Sequence, residues 1–431
     1  MHRLQHRLSF AVAIALTGAC GSAFAITDSE TNASIPFSFA SPGARSLGMG
    51  GAFLGLADDA TAAYTNPAGL TQLRQTEISL EGRHTSYSTP YVDGGNATSA
   101  PFNTSGLNIS DADSSKSNVS YFSVVIPHDR WAFSFYRQEL ARFNTSFTTL
   151  EGANIDGFPF LFPFSSDADL RILNYGLAAA YKVNDRVSLG LGVSRYEFKL
   201  RTVTARIDTD PIAAASGQIQ DGDDNGVGWN LGARFALSDN MSLGLSYRRA
   251  PSFTYDALNV VFIDNDGNPV SPPVAFGYTG VKFDVPDVWG VGLSWRPSDA
   301  LVVNFDLDRV MYSQLTDGVT SIFGIQDSAR NLRLDDGTEV HLGAEYTFAG
   351  MAHPFSVRGG VWHDPRHSVE YRGPVETDGD YALATLFAGG RGSDTHYSLG
   401  GGWAFSKFQL DLAADWSKGV DTYSLSGVYR F

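Results

Sequence analysis

Residues 407–416 read KFQLDLAADW, and their apolar and polar side chains alternate with a period of two. One face of the extended chain carries Phe408, Leu410, Leu412, Ala414 and Trp416, and the other carries Gln409, Asp411, Ala413 and Asp415. Alternation over about ten positions is typical of a strand with one face toward lipid and the other toward a polar lumen. The pattern recurs in TEVHLGAEYTF (338–348), MSLGLSY (241–247) and WGVGLSW (289–295), where the second face repeatedly carries glycine, serine or charge.

About fourteen such runs follow one another along the chain, and the connections between them alternate in length. The runs lie near residues 75–88, 118–127, 130–147, 167–182, 185–206, 226–237, 240–256, 279–296, 299–312, 337–349, 354–362, 393–404, 407–417 and 420–431. Short connections fall at residues 127–130, 183–186, 238–240 and 297–299, with long ones between them. Barrels of the outer membrane sort their periplasmic turns and extracellular loops in this way, whereas a β-sandwich has no reason to do so. The sequence therefore predicts an all-β fold, a transmembrane antiparallel β-barrel of about 14 strands.

The first residues, MHRLQHRLSFAVAIALTGACGSAFA, have the features of a secretory signal peptide. Arg3 and Arg7 precede an apolar run from Leu8 to Ala19, and residues 23–25 (AFA) supply small residues at a cleavage site. The run is shorter than the roughly 18 to 20 residues that span a bilayer. We expect cleavage after Ala25, which would remove Cys20, the one cysteine of the chain, with lipidation of Cys20 as a minor alternative.

Charge and composition exclude several classes of protein. The formal net charge is −15, which argues against nucleic acid as a partner because its binding requires clustered Lys and Arg. A chain with 29 Phe, 18 Tyr, 7 Trp and 45 Gly is rich in aromatic residues and glycine, as sandwiches and outer-membrane barrels both are. No recognisable nucleophile motif accompanies the nine histidines, so we expect no enzyme and no cofactor. His363 and His367 flank a proline, which makes a metal site improbable.

The chain ends in YSLSGVYRF, with Tyr423, Tyr429 and the terminal Phe431 on one face of the last strand. This ending resembles the signal by which the barrel assembly machinery reads bacterial outer-membrane proteins. We expect the barrel assembly machinery to be a partner through this last strand. We also expect a monomer in the bacterial outer membrane, in contact with outer-membrane lipid and lipopolysaccharide.

Residues 26–72 do not alternate, and residues 46–70 read SLGMGGAFLGLADDATAAYTNPAGL. This run, above all Asn66-Pro67-Ala68, resembles the N-terminal hatch of the FadL/TodX family of outer-membrane transporters of long-chain fatty acids and other hydrophobic compounds. The resemblance implies a signal peptide at 1–25, a hatch at 26–72 and a barrel at 73–431.

A barrel of this width must be a water channel or be plugged. Helix propensity is highest from Leu54 to Ala63, and Asn66-Pro67 would end that helix. A flexible tether with no plug role is the alternative.

The long connection after the third run contains FPFLFPF, residues 158–164. Family members dock ligand on apolar extracellular loops, hold it in a lumen pocket and release it sideways at a kinked third strand. The resemblance thus assigns ligand capture to Phe158, Phe160, Leu161, Phe162 and Phe164, although these side chains could instead pack inward as a cap. A second apolar connection, residues 257–278, offers Phe262 and Phe276.

A carboxylate ligand would need a buried cation in the lumen. Lys199 and Arg201 are candidates if Tyr196, Phe198 and Leu200 face lipid. Arg137, Arg142, Arg248 and Arg358 are further candidates, with Asp306 and Asp308 as possible lumen partners. The third run contains neither glycine nor proline, so a kink there is implied by the family alone.

We therefore predict passive uptake of hydrophobic molecules, fatty acids or hydrocarbons, through an outer-membrane channel. A barrel that acts as a scaffold or secretion partner without transport is the alternative, since it would keep the hatch but need no lumen pocket.

Overall fold

The computed structural model describes residues 37, 39–149, 151–159, 163–207, 214–263, 269–316, 321–322, 325–326 and 331–431. The predicted signal peptide and residues 26–36 of the predicted hatch lie outside this part of the chain.

Fourteen long strands form one closed antiparallel sheet. They are β1 Glu77–Ser99, β2 Leu107–His128, β3 Trp131–Thr148, β4 Phe164–Lys182, β5 Val187–Ile207, β6 Ala214–Ser238, β7 Met241–Arg249, β8 Val288–Ser298, β9 Leu301–Val310, β10 Gly337–Phe348, β11 Phe355–Asp364, β12 Asp394–Ala404, β13 Phe408–Trp416 and β14 Val420–Arg430. Each pairs with the next, and β14 pairs with β1 from Glu77 opposite Arg430 to Tyr87 opposite Val420. Because every strand pairs with two neighbours, the sheet closes on itself, which confirms the predicted barrel and its strand number.

Two predicted runs, 240–256 and 279–296, each divide where a proline interrupts the strand. Strand β7 ends at Arg249, before Pro251, and β8 begins at Val288, after Pro286. A proline has no backbone N–H to donate to the ladder, so a central strand ends near it. The residues between form a hairpin, Ser252–Ile263 and Pro269–Asp284, whose first strand pairs with β6.

The alternation predicted for residues 407–416 is present in the barrel wall. Leu412 is 45 % exposed on the outer face, whereas Asp411 and Asp415 are 1 % and 2 % exposed inside. Aromatic pairs stand near both ends of the wall, with Tyr247 against Trp289 (4.0 Å between ring centroids) toward the long connections and Phe355 against Trp403 (4.9 Å) toward the short turns. Aromatic residues at both ends of an apolar outer face mark the two surfaces of a bilayer.

Smaller elements occupy the long connections. They are the strands Phe102–Asn103, Asn154–Ile155, Phe158–Pro159, Ser321–Ile322, Ile325–Gln326, Leu332–Arg333 and Glu370–Tyr371, the 3₁₀ turns Tyr312–Thr316 and Phe387–Gly389, and the nine-residue helix Asp378–Leu386. Among the described residues, none of the helices has the length and apolar character that crossing a bilayer requires.

The N-terminal segment, residues 39–72, packs against inward-facing side chains of the wall. It contains the helices α1 Ala44–Leu47 and α2 Ala62–Thr65 and the 3₁₀ helix Pro67–Gln72. The helix Asp378–Leu386 described above is α3. The prediction of one helix from Leu54 to Ala63 is wrong, because residues 54–61 form turns. The wall supplies the hydrogen bonds that a helix would otherwise make.

Side chains of the wall satisfy the backbone of these turns. Asp306 on β9 accepts from the N–H groups of Phe53 (2.5 Å) and Leu54 (2.7 Å). Ser242 donates to Gly55 O (2.7 Å), and Tyr121 and Ser123 each donate to Ala60 O (3.1 Å). Bonds of this kind tie the turns to several strands, which overrides local helix propensity.

Glycines on the inner face allow the segment to approach the wall. A Cβ atom at Gly343 of β10 would lie 2.1 Å from Met49 O, and one at Gly244 of β7 would lie 2.1 Å from Leu54 O. Any larger side chain at these positions would have to displace the segment.

We expect Gly343→Leu to displace the N-terminal segment, because the new side chain would occupy the space of Met49. Trypsin should then cleave after Arg45, whose side chain is 15 % exposed and paired with Asp58 and Glu345 in the wild-type protein, and mass spectrometry would identify the fragment. Gly359→Leu on the neighbouring strand is the matched control, since a Cβ there would meet only Leu399 Cδ2, at 3.9 Å. Equal resistance of both variants would show that the segment does not depend on this contact.

Candidate ligand pocket

A cavity of about 180 Å³ lies between the start of the N-terminal segment and the long connections. Phe39 lines it from the segment and Phe37 from just before the segment, Tyr87 from β1, Thr422 from β14, and His367 from the connection between β11 and β12. Four parts of the chain that are separate in sequence therefore meet around one space.

Aromatic rings form one side of this pocket. Phe37 and Phe39 stack at 5.2 Å between ring centroids, and Tyr312 packs against Phe39 at 6.2 Å and against His367 at 4.7 Å. Tyr312 donates a hydrogen bond to Glu339 Oε1 (3.1 Å). Burial and the adjacent carboxylate of Glu339 hold the pKa of Tyr312 well above its ordinary value, so this hydroxyl remains a donor.

The opposite side is polar and tightly hydrogen-bonded. Asp415 accepts from His396 Nδ1 (2.6 Å), Ser398 Oγ (2.9 Å) and Trp362 Nε1 (3.1 Å). The Trp362 ring stacks on His396 at 3.8 Å. This network fixes the side chains of β11, β12 and β13 that face the cavity.

The connection between β11 and β12 covers the pocket, and the sequence analysis missed it. Leu383 and Leu386 of α3 are buried in the same cluster as Phe39 and Tyr87. The signal that could have found it is a capping box, in which Thr377 accepts from Asp380 N (3.2 Å) and the Asp380 carboxylate accepts from Thr377 N (3.0 Å).

Lys199 and Arg201 do not face the lumen. Tyr196, Phe198 and Leu200 are 5 %, 0 % and 4 % exposed and belong to the buried cluster, so the alternating residues of β5 point outward. Lys199 pairs there with Asp223 (3.1 Å). The predicted orientation is wrong because β5 continues past the apolar outer face, where its outer side becomes charged and its inner side aromatic.

Among the described residues, Arg248 and Arg358 are buried inside the barrel and Arg45 is partly buried there, and each has acceptors. Arg358 binds Glu345 (2.6 Å) and Asp411 (2.8 Å). Arg45 of α1 binds the same Glu345 (2.8 Å) and also Asp58 (2.6 Å). Arg248 donates to Phe39 O (2.6 Å), and its guanidinium lies 4.7 Å from the Tyr64 ring centroid. Of the further sequence candidates, Arg137 lies at the wall and contacts Glu139 (3.6 Å).

The aromatic stretch 158–164 divides between exposed and buried positions. Phe158 is 75 % exposed in the short strand that pairs with Asn154–Ile155. Phe164, at 3 %, begins β4 and packs against Phe147 at 5.8 Å, so it does not belong to an exposed patch as expected. Phe160, Leu161 and Phe162 lie outside the described residues.

The second predicted apolar loop is a hairpin. Phe262 belongs to the strand Ser252–Ile263 and Phe276 to the strand Pro269–Asp284, where Phe276 stands opposite Asn259. The described residues of the predicted connection 257–278 are therefore paired strands, because β-branched and aromatic residues there continue the strand pairing.

Strands β2 and β3 separate toward the long connections. Their pairing runs from His128 opposite Trp131 to Tyr121 opposite Gln138 and ends there. Strand β3 continues with β4 through an irregularity between Glu139 and Ala141, while β2 continues with β1. The Asn118 amide donates to the Glu139 carboxylate across the separation. An interval of unpaired edges thus interrupts the wall at the third strand.

Asn66 joins the N-terminal segment to the wall and to itself. Its side-chain amide donates to Ala233 O of β6 (3.2 Å) and to Leu54 O (3.1 Å), and its Oδ1 accepts from Ala68 N (3.3 Å). Pro67 begins the 3₁₀ helix that follows, where its missing N–H costs nothing.

Known proteins match this chain over most of its length. It is 24% identical over 466 residues to outer membrane protein P1 of Haemophilus influenzae, which covers 96% of this chain and 90% of that protein. A FadL homologue from Pseudomonas aeruginosa has a TM-score of 0.66 at 15% identity, and the toluene transporter TodX from Pseudomonas putida has 0.63 at 17%. Both alignments cover 92% of this chain and 99% of the other.

Residues 31–389 also match the family described as outer membrane protein transport protein (OMPP1/FadL/TodX). Members of that family are passive channels of the outer membrane and not enzymes. The matched range includes the N-terminal segment and most of the wall, and the fold is that of the solved structures. The chain belongs to the OMPP1/FadL/TodX family of outer-membrane transport proteins for hydrophobic compounds.

Proposed function

We propose that this chain captures hydrophobic molecules on its outer loops, holds them in the pocket beside Phe39 and releases them sideways between β2 and β3. The observation that carries the proposal is the pocket itself, an aromatic cavity of about 180 Å³ that no structural scaffold requires. The separation of β2 and β3 begins near the same end of the barrel. A ligand in the pocket could therefore leave without crossing the N-terminal segment.

In this proposal the N-terminal segment is a hatch. Residues 39–72 bind the wall through β6, β7, β9, β10 and β14, and most of their side chains are buried. A segment held this firmly blocks the passage of small polar solutes and forces hydrophobic ones toward the lateral opening. A merely flexible tether would need no such contacts.

The pocket is tested by filling it. Thr422→Trp places an indole in the cavity, because Thr422 is 8 % exposed and points inward from β14. We expect uptake of a radiolabelled long-chain alkane or alcohol by cells that express the variant to fall about tenfold or more. Tyr423→Trp, at the adjacent outward position, should leave uptake unchanged. Equal uptake by both variants would place the route elsewhere.

Capture at the loops is tested at Phe158. A phenylalanine that binds ligand contributes on the order of 1.5 to 3 kcal/mol through burial of its ring. We expect Phe158→Ser to slow uptake several-fold at limiting ligand, while calorimetry of purified protein gives an unchanged pocket affinity. A variant that folds poorly but takes up ligand normally would show that the aromatic stretch is a packing cap.

The hatch is tested at Asn66. In Asn66→Ala two carbonyl groups, Leu54 O and Ala233 O, lose a donor, and an unsatisfied buried group costs about 1–3 kcal/mol. Liposomes that contain the variant should therefore swell faster in small sugars than those with wild type. Asn240→Ala, in an exposed turn, is the control. Unchanged permeability of Asn66→Ala would favour the tether.

A further inference from the structure

Negatively charged side chains outnumber positively charged ones around the pocket. Four carboxylates line it, those of Glu339, Asp364, Asp394 and Asp415, against the two guanidinium groups of Arg83 and Arg391. The two histidines of the lining, His367 and His396, each bind one of these carboxylates. Carboxylates therefore outnumber guanidinium groups around the cavity by two.

Both guanidinium groups already have a carboxylate partner, and Arg391 also has neutral acceptors. Arg83 binds Glu81 at 2.9 Å, and the Glu81 side chain is fully buried. Arg391 donates to Ser88 Oγ (2.7 Å) and Ser88 O (2.9 Å) and lies 3.4 Å from Asp111. A carboxylate ligand would have to compete with these acceptors, and removing Arg83 from Glu81 would leave a buried charge unpaired.

Acceptor capacity, in contrast, remains in the wall. Asp364 accepts from His367 Nε2 at 3.3 Å, and an ionised carboxylate offers about four acceptor positions. It stands at the end of β11 in a lining that also includes Phe37, Phe39 and Val420. An apolar chain against these side chains would bring its head group within the reach of acidic residues.

We propose that the pocket selects amphiphiles whose polar group donates a hydrogen bond, such as alcohols, phenols and amines, and disfavours carboxylates. Asp364 is the residue that accepts from the head group, while Phe37, Phe39 and Val420 contact the apolar chain. This inference rests on the proposed function, since it specifies which hydrophobic molecules the pocket takes. Like charges in a buried site repel, so an ionised fatty acid binds weakly there.

The test compares ligands of one chain length on the purified full-length protein in detergent at pH 8. Decan-1-ol, decylamine and decanoate are titrated by calorimetry, with quenching of tryptophan fluorescence as a second readout because Trp362 lines the pocket. We expect decan-1-ol and decylamine to bind about tenfold or more tightly than decanoate.

Asp364→Asn removes the negative charge and keeps the shape. It should weaken decylamine binding and strengthen decanoate binding, so that the preference for the amine narrows about tenfold. Asp239→Asn, in an exposed turn at the opposite end of the barrel, changes the net charge equally and should leave the preference intact. Decanoate binding as tight as decan-1-ol binding would overturn the inference. An equal preference for decylamine over decanoate in Asp364→Asn and Asp239→Asn would also overturn it.

These outcomes are separate from failure of the proposed function. If decanoate binds best and Thr422→Trp abolishes its binding, the pocket takes hydrophobic ligand but the inferred selectivity is wrong. If none of the three ligands binds, the pocket is not a ligand site, and both the selectivity and the proposed function fail.

Discussion

A buried segment that is largely not helical has to find hydrogen-bond partners for its backbone outside itself. Residues 39–72 meet this requirement through the wall: Asp306 accepts two of their N–H groups, and Ser242, Tyr121 and Ser123 donate to their carbonyls. The inner face of the barrel must therefore be polar at some positions and small at others. The outer face stays apolar because it meets lipid. The alternation of the strands, the glycines of the lumen and the course of the segment all follow from this one requirement.

The same requirement places the pocket. Near Phe37 and Phe39, where the segment begins, the inner face of the barrel changes from small and polar to aromatic. Beyond this point no backbone of the segment needs hydrogen bonds from the wall. This region is closed by a buried cluster that includes Tyr87, Tyr312 and the inner face of α3. Strands β2 and β3 separate toward the same end, so the pocket, its cover and this separation all lie near one end of the N-terminal segment.

Much of the barrel could be predicted from sequence, because a period of two needs no tertiary information. Leu412 outside and Asp411 inside follow directly from alternation. Alternation does not say which face is inner once a strand passes the bilayer, and for this reason Lys199 and Arg201 were assigned to the wrong side. Helix propensity failed at residues 54–61 because wall side chains replaced helical hydrogen bonds. The pocket joins Phe39, Thr422 and His367, and no local pattern connects residues so distant in sequence.

The claim that ligand leaves through the wall while the hatch stays in place can be tested by fixing the hatch. Ala44 N lies 3.1 Å from Ser426 Oγ, and the one native cysteine, Cys20, falls within the predicted signal peptide. The variant Ala44→Cys, Ser426→Cys should form a disulfide in the outer membrane, seen as a shift in gel mobility. We expect oxidised and reduced cells to take up a hydrophobic substrate equally fast. Uptake that stops on oxidation and returns with a reductant would mean that the hatch must move out of the way.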